Sequence, residues 1–406
     1  MSYATNSRPD DGVPQSRHRR RPRRAAAVFC AVAVAAVAVT AGAVALAGTG
    51  GDPAPGPAQV AAVAAVATSA PAVAPPAARR ATTPPATAAT KSASASASTA
   101  PGSTPTTRTV AKPGWIAVDQ AAWQKQLSAY KGRKIDPAPG SVGNLPEFRA
   151  DCKYSHRLAD DPIVLPGLPG ASHMHSFVGN KAVDAGTTAA DLMKFTATTC
   201  KPVQDHSSYW VPTLYDNATG KPVETTGFRV YYRSLRNKSA DVKPMPNGLR
   251  MVAGDAKKKV PTPRGAQGQF YCAFYGPGDL DGIARSDNGN WPICGEGATL
   301  HFMMQFADCW DGKNLDSPTH KAHVAFGSDQ ACPSSHPVRI PAITFDIQYG
   351  AKGTKAGYYL SSDKVGKSAS SMHGDAFVMW DPAFMNKQTK NCILQRRTCD
   401  NNGYLR

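Results

Sequence analysis

Two histidines spaced two residues apart are the first side chains in this sequence that could carry chemistry together. His173 and His175 lie in the segment ASHMHSFVGN, which follows a Gly/Pro-rich stretch. Alternate residues of an extended chain point to the same side, so a strand here would place both imidazoles on one face. Such a pair can ligate a metal, exchange protons near neutral pH, or only hydrogen-bond loop carbonyls. The spacing alone leaves these alternatives open.

Two further segments carry histidine beside a turn and an apolar run. His320 and His323 occur in SPTHKAHVAF, and His373 precedes Asp375 by two residues in SSMHGDAF. Divalent cations bind imidazole and carboxylate ligands, and a carboxylate can also orient an imidazole, as we predict for Asp375 and His373. The predicted metal ligands are His173, His175, His320, His323 and Asp311, and the predicted catalytic residues are His173, His175, His373 and Asp375.

Each of these segments also has a purely structural explanation. A histidine at the start of a strand is often simply exposed to solvent. Gly374 and Asp375 are residue types that favour a tight turn. Asp311-Gly312 suits a turn beside a disulfide at Cys309. The metal motif H-E-x-x-H is absent, and H-x-H alone recurs by chance. A site is favoured because several histidine-bearing turns occur in a chain with only 10 histidines.

Other catalytic chemistries have little support in the sequence. There is no G-x-S-x-G elbow and no Gly-rich phosphate loop. No pair of glutamates indicates an ordinary glycosidase. Large aromatic residues could form a sugar-binding platform, but their settings favour a core. This aromatic set comprises Tyr209, Trp210, Tyr231, Tyr232, Trp310 and Trp380.

The cysteine content predicts disulfides and an oxidising compartment. Of nine cysteines, Cys30 belongs to an apolar N-terminal segment, which leaves an even set. No C-x-x-C occurs, so cross-links are favoured over a metal knot or a cysteine nucleophile. We predict pairing between sequence neighbours for Cys152, Cys200, Cys272, Cys294, Cys309, Cys332, Cys392 and Cys399.

Residues 1–47 have the composition of an export signal. The basic stretch 17–24 is followed by the uncharged apolar run 25–47, which ends in Ala45-Leu46-Ala47. The A-x-A pattern suits signal peptidase, whereas the length of the run would also suffice for a single membrane crossing. We therefore expect a secreted or cell-surface protein, with membrane contact only through residues 25–47 if they are retained.

Residues 48–112 are almost entirely Ala, Pro, Thr, Ser, Gly and Val, which predicts a disordered linker. The formal charge of the chain is +17, and much of this excess lies in the first 112 residues. The remaining chain has no basic run interleaved with aromatics, so nucleic acid is not an expected partner.

Residues 113–406 are predicted to form one globular domain of mainly β class. Short segments rich in Val, Ile, Phe and Tyr are bounded by turn residues, without strand–helix alternation. These features favour a disulfide-linked β-sandwich of jelly-roll or Greek-key type, with long loops. Short helices are expected in residues 116–132, after an N-cap at Thr188, and after Asp381-Pro382.

Several motifs occur in the same order as in a known family. They include SHMHSFVGN, CWDG, HKAH and HGD, and over about residues 144–405 the chain resembles a secreted domain-of-unknown-function family of bacteria and fungi. The resemblance implies no established activity. It marks His173, His175, Asn180, Trp210, Trp310, Asp311, His320, His323, His373, Gly374 and Asp375. Val378-Met379 stands where that family's pattern has Asn-Gly before the tryptophan.

Three hypotheses for function follow from these features. The first is an extracellular enzyme that acts on cell-wall or environmental polysaccharide through a His/Asp site holding a divalent metal. The second is a non-catalytic wall- or glycan-binding module whose histidines brace loops. The third is a disulfide-rich surface protein with a structural or adhesive role. A glycan or cell-wall polysaccharide is the expected partner in the first two.

Overall fold

The computed structural model describes most of the C-terminal three quarters of the chain. The predicted signal segment (1–47) and linker (48–112) lie outside the described residues. Among the residues that the structure describes, no helix combines the length and the apolar character needed to cross a bilayer. The described residues are 114–137, 145–234, 241–260, 262, 268–273, 283–288, 291–328, 331–363 and 369–401.

Short strands dominate the described residues, and every pairing between them is antiparallel. The strands are β1 (Ile116–Ala117), β2 (Glu147–Cys152), β3 (Tyr154–Leu158), β4 (His175–Gly179), β5 (Ser208–Pro212), β6 (Leu214–Asp216), β7 (Pro222–Val223), β8 (Thr225–Arg233), β9 (Arg250–Gly254), β10 (Phe270–Ala273), β11 (Thr299–Gln305), β12 (Cys309–Trp310), β13 (Asn314–Asp316), β14 (Val324–Ala325), β15 (Val338–Arg339), β16 (Ala342–Tyr349), β17 (Tyr358–Leu360) and β18 (His373–Phe377). The helices are α1 (Gln120–Gly132), α2 (Ala189–Lys194) and α3 (Pro382–Gln388), and α3 continues into a π-helical turn, Thr389–Leu394.

Two five-stranded sheets form the sandwich. One has the order β10-β11-β16-β8-β2, and the other, which we call the site sheet, has the order β3-β4-β5-β18-β9. One apolar cluster takes side chains from both sheets, for example Tyr209 and Phe345, whose rings pack edge to face at 5.5 Å. The predicted β-sandwich is therefore confirmed.

The site sheet also has an apolar outer face. Because alternate residues of a strand face opposite sides, Val178 points into the main core and Phe177 points away from it. Phe177, Trp210 and Phe377 are covered there by Ile163, Val183 and Leu192 from the chain around β4 and α2. The segments that flank β4 thus form a lid of packed side chains over the sheet.

The local signals in the sequence agree with the observed helix ends. Thr188 and Asp191 form the capping box of α2, and Asp381 caps α3 ahead of Pro382. The segment AFVMW (376–380) is one of the short apolar segments that the sequence predicts as strands, but the strand there, β18, begins earlier, at His373, and ends at Phe377. Four disulfides join sequence neighbours, Cys152–Cys200, Cys272–Cys294, Cys309–Cys332 and Cys392–Cys399, as predicted.

Candidate metal centre

Two strands of the site sheet and the chain before one of them position three histidines. His175 is the first residue of β4, and His373 is the first residue of β18. Only β5 separates these two strands. His173 lies two residues before His175. The imidazole rings of the two are 4.3 Å apart between centroids, which agrees with the prediction that they lie on one face. Phe177 continues this face of β4 into the outer apolar cluster.

The three imidazoles converge through their ring nitrogens. Nε2 of His373 lies 3.1 Å from Nε2 of His173 and 3.4 Å from Nε2 of His175. Nitrogens bound to one tetrahedral zinc at its usual bond length are about 3.3 Å apart. The trio therefore has the spacing of ligands around a single ion. We call His173, His175 and His373 the imidazole trio.

Backbone carbonyls fix the tautomers of the two buried members. Nδ1–H of His175 donates to the carbonyl of Asp160 at 2.9 Å, and Nδ1–H of His373 donates to the carbonyl of Ser371 at 2.8 Å. A carbonyl can only accept, so in the neutral rings the proton is on Nδ1 and the lone pair is on Nε2. Metal-binding histidines are commonly oriented in this way.

Burial keeps the trio uncharged. Desolvation, followed by the charge of a neighbouring histidine, lowers the pKa of His173 to about 3. Desolvation also lowers the pKa of His373 to about 4 and holds the pKa of His175 well below its usual range. Neutral imidazole is the form that binds a metal, so these three rings are competent ligands at neutral pH.

Two buried carboxylates also lie close to His175. Ligand atoms of Asp161, Asp375 and His175 lie within 4.8 Å of one another. Oδ1 of Asp161 accepts from the backbone N–H groups of Ile163 and Val164. Desolvation raises the pKa of Asp161 to about 6 and holds the pKa of Asp375 well above the usual range for an aspartate. We call Asp161 and Asp375 the carboxylate pair.

The prediction that Asp375 orients His373 is wrong. Both carboxylate oxygens of Asp375 are buried without a hydrogen-bond partner among the described residues, and the Nδ1 of His373 is bonded to Ser371 instead. The two side chains share a face of β18 without a hydrogen bond between them.

Two predicted metal ligands have structural roles. Nε2–H of His323 donates to the carbonyl of Arg250 at 2.6 Å, and its Nδ1 pairs with the Ser317 hydroxyl at 3.1 Å. With both nitrogens occupied, His323 has no lone pair for a metal. Asp311 closes a turn by accepting from the backbone N–H groups of Lys313 and Asn314. The structure therefore does not bring His323 or Asp311 into the imidazole trio.

His320 also lies outside the imidazole trio. Its Nδ1 pairs with Oδ1 of Asp316 at 2.9 Å, and Asp316 also contacts Arg250. His320 is nevertheless a neighbour of the carboxylate pair, because its interaction with Asp161 partly opposes the rise in the pKa of Asp161 that desolvation causes. His320 therefore lies next to the carboxylate pair but is not a member of the imidazole trio.

Sequence reasoning missed Asp160 and Asp161. Besides the carbonyl that orients His175, Asp160 uses its carboxylate to accept from the N–H groups of Gly170 and Ala185. The signal available was the pair of adjacent aspartates before Pro162, which breaks regular structure ahead of the histidines.

Other residues marked by the motifs support the loops and the core. The side-chain amide of Asn180 donates to the carbonyls of Phe195 and His206, which ties the turn after β4 to two other segments. Trp210, Trp310 and Trp380 are fully buried, in agreement with a core role.

Comparison with known proteins gives one family. No curated protein and no solved structure shows significant similarity to the chain. Residues 161–380 match the family described as domain of unknown function (DUF1996). This range is more than half of the chain, and it contains the imidazole trio and the carboxylate pair. The chain therefore belongs to the DUF1996 family.

Proposed function

We propose that the protein is an exported metal-dependent hydrolase of cell-wall or environmental polysaccharide, with a divalent transition metal held by the imidazole trio. The observation that carries this proposal is that Nε2 of His373 lies 3.1 and 3.4 Å from Nε2 of His173 and of His175, with one ligand atom of each residue within 4.8 Å of the others. Three neutral imidazoles form the ligand set of a catalytic zinc site such as that of carbonic anhydrase, which keeps a fourth position for water or substrate.

Each part of the chain has a defined task in this proposal. A zinc ion held by the imidazole trio would lower the pKa of a bound water to about 7 and would act as a Lewis acid on the bond to be cleaved. The carbonyls of Asp160 and Ser371 hold the two buried rings in the ligand tautomer. His173 is the least buried member of the trio, so substrate is expected to approach along its side.

The polysaccharide substrate is the part of the proposal that rests on the sequence. An export segment followed by a long Ala/Pro/Ser/Thr-rich linker suits an enzyme that acts at or beyond a cell wall. The rival, a glycan-binding module, has less support. Such modules present aromatic rings to the sugar, whereas Trp210, Trp310 and Trp380 are fully buried.

Metal analysis and an activity assay test the two parts separately. The full chain, loaded with Zn²⁺ and freed of excess metal, should retain one zinc per chain, and His373→Ala should retain none. The zinc-loaded protein should release new reducing ends from cell-wall polysaccharide, and a chelator should abolish the release. A wild-type protein that retains no metal would refute the centre. A metal-loaded protein inert towards glycans would refute only the substrate.

A further inference from the structure

A second feature beside the imidazole trio has no role in the proposed function. The side chain of Asp375 is fully buried, and neither carboxylate oxygen has a hydrogen-bond partner among the described residues. Asp161 is also buried, and an oxygen from each side chain lies within 4.8 Å of the other. A buried carboxylate without a partner is costly, and two close together repel, so a bound cation would stabilise their charged forms.

The neighbouring cationic side chains contact groups other than the carboxylate pair. Arg250 contacts Oδ2 of Asp316 at 3.4 Å, and its guanidinium lies over the ring of Phe377. The Lys321 ammonium donates to the carbonyl of Gly254 at 2.6 Å. Lys321 interacts electrostatically with Asp375. Within the described part of the chain, however, no ion pair joins a basic side chain to either member of the carboxylate pair.

We propose that Asp161 and Asp375 bind a second divalent cation, separate from the metal of the imidazole trio and bordered by His175. Oxygen donors favour a hard cation such as Mn²⁺, Mg²⁺ or Ca²⁺ over a softer ion. Asp375 supplies two oxygens without partners, and Asp161 supplies the oxygen not engaged by backbone N–H groups. His175 is a neighbour of both positions, because its Nε2 lies 3.4 Å from Nε2 of His373 and its side chain also lies close to both carboxylates.

The site can be tested with Mn²⁺, whose free form is counted by electron paramagnetic resonance. Zinc-loaded full-length protein should bind one Mn²⁺ per chain. Asp375→Asn and Asp161→Asn should each lose this Mn²⁺ while their zinc content stays unchanged. Asp311→Asn is the matched control, since that carboxylate only closes a turn, and it should bind Mn²⁺ like the wild type. Circular dichroism shows which variants are folded.

The outcome is decisive whether or not the trio binds zinc. A zinc-loaded wild type that binds no Mn²⁺ overturns the second site, as does unchanged Mn²⁺ binding in both aspartate variants. If the wild type holds no zinc, the titration is repeated on His373→Ala without zinc. Mn²⁺ binding there that is lost on adding Asp375→Asn supports the second site although the proposed function has failed. No Mn²⁺ binding there overturns it.

Discussion

Single carbonyl groups determine what His175 and His373 can do. Each ring is held by one hydrogen bond from Nδ1, to Asp160 or to Ser371, and this leaves Nε2 directed at the shared centre. His323 is as buried as His175, but both of its nitrogens are hydrogen-bonded to protein groups. A histidine can thus serve as a metal ligand here only if the lone pair of one ring nitrogen is not already used in a hydrogen bond to another protein group.

Replacing these two histidines should separate the two roles. We expect His323→Ala to lower the free energy of unfolding by about 1–3 kcal/mol, because it leaves the carbonyl of Arg250 buried without a donor. Zinc content should stay unchanged. His175→Ala should abolish zinc binding. Denaturant titration and metal analysis measure both effects, and loss of zinc in folded His323→Ala would contradict the assignment.

Asp205 provides a residue-scale test of the core that does not involve the metal centre. Its carboxylate accepts from the Tyr209 hydroxyl, which in turn pairs with Tyr232. Desolvation raises the pKa of Asp205 from 3.8 to about 7. The folded state therefore binds more protons than the unfolded state between these pH values, so this group makes the protein less stable as pH rises from about 4 to 7.

The variant Asp205→Asn should remove this pH dependence. The free energy of unfolding of the wild type minus that of the variant should fall, by on the order of 3 kcal/mol, as pH rises from about 4 to 7, and should then level off. Chemical denaturation at several pH values measures it. A difference that stays constant, or that rises with pH, would contradict the raised pKa.

Residue types and spacing predicted part of the site. The H-x-H spacing placed His173 and His175 together, and the HGD segment supplied their partner His373. The role of His323 could not be predicted, because its Nε2–H donates to a carbonyl 73 residues away in the chain. Asp311 closes the turn that the sequence had offered as the alternative to a metal ligand. Asp161 was missed because its proximity to Asp375 exists only after β18 has joined the sheet.

At the scale of elements, two glycines set the position of the strand that carries His373. Gly374 faces the opposite sheet, where an added Cβ would lie 3.0 Å from Met304 Sδ and from a ring carbon of Phe345. Gly254 lies across from His373 in the ladder with a φ of +79°. An added Cβ there would lie 2.5 Å from the carbonyl oxygen of Met372 and 2.7 Å from Cα of His373.

These contacts predict that Gly254→Ala displaces the metal centre. Backbone atoms cannot yield as a flexible side chain can, so β18 must shift and zinc affinity should fall at least tenfold, together with stability. Gly220→Ala is the matched control, because that glycine also has a positive φ of +65° but meets nothing within 4 Å. It should lose only about 1 kcal/mol and keep its zinc affinity. Equal zinc affinity in both variants would show that the close packing of Gly254 against Met372 and His373 does not position the zinc ligands.

Short sequence signals predicted the elements better than their arrangement. The capping residues Thr188 and Asp381 located two helices, and turn residues located most long strands. The order of the site sheet could not be predicted, because β18 inserts between β5 and β9 from far along the chain. Local patterns do not encode such long-range pairing.

At the scale of the whole molecule, disulfides cross-link a β-sandwich that has long loops. The four bridges span 48, 22, 23 and 7 residues. Each such cross-link contributes about 2–4 kcal/mol. Reduction should therefore lower the melting temperature strongly, as measured by calorimetry with and without reductant. Thiol counting on the unreduced protein should find none of these eight cysteines free, and several free thiols would contradict the pairing.

The segment ahead of the described domain makes a further whole-molecule prediction. If residues 48–112 form a linker, limited proteolysis of the full chain should cleave within them and leave a resistant fragment that begins near Trp115. Mass spectrometry of the fragments identifies the cut sites. Protection of residues 48–112 under conditions that cleave an unfolded control would show that the segment packs against the domain.

The central claim, a metal held by the imidazole trio, is tested most directly by X-ray absorption spectroscopy of the zinc-loaded protein. The geometry predicts three imidazole nitrogens at about 2.0–2.1 Å from the zinc and no sulfur ligand. His173→Ala and His373→Ala should each lose this signature, whereas His323→Ala should keep it. Zinc that gives the same spectrum in the wild type and in His373→Ala, or a wild type without imidazole ligands, would contradict the account.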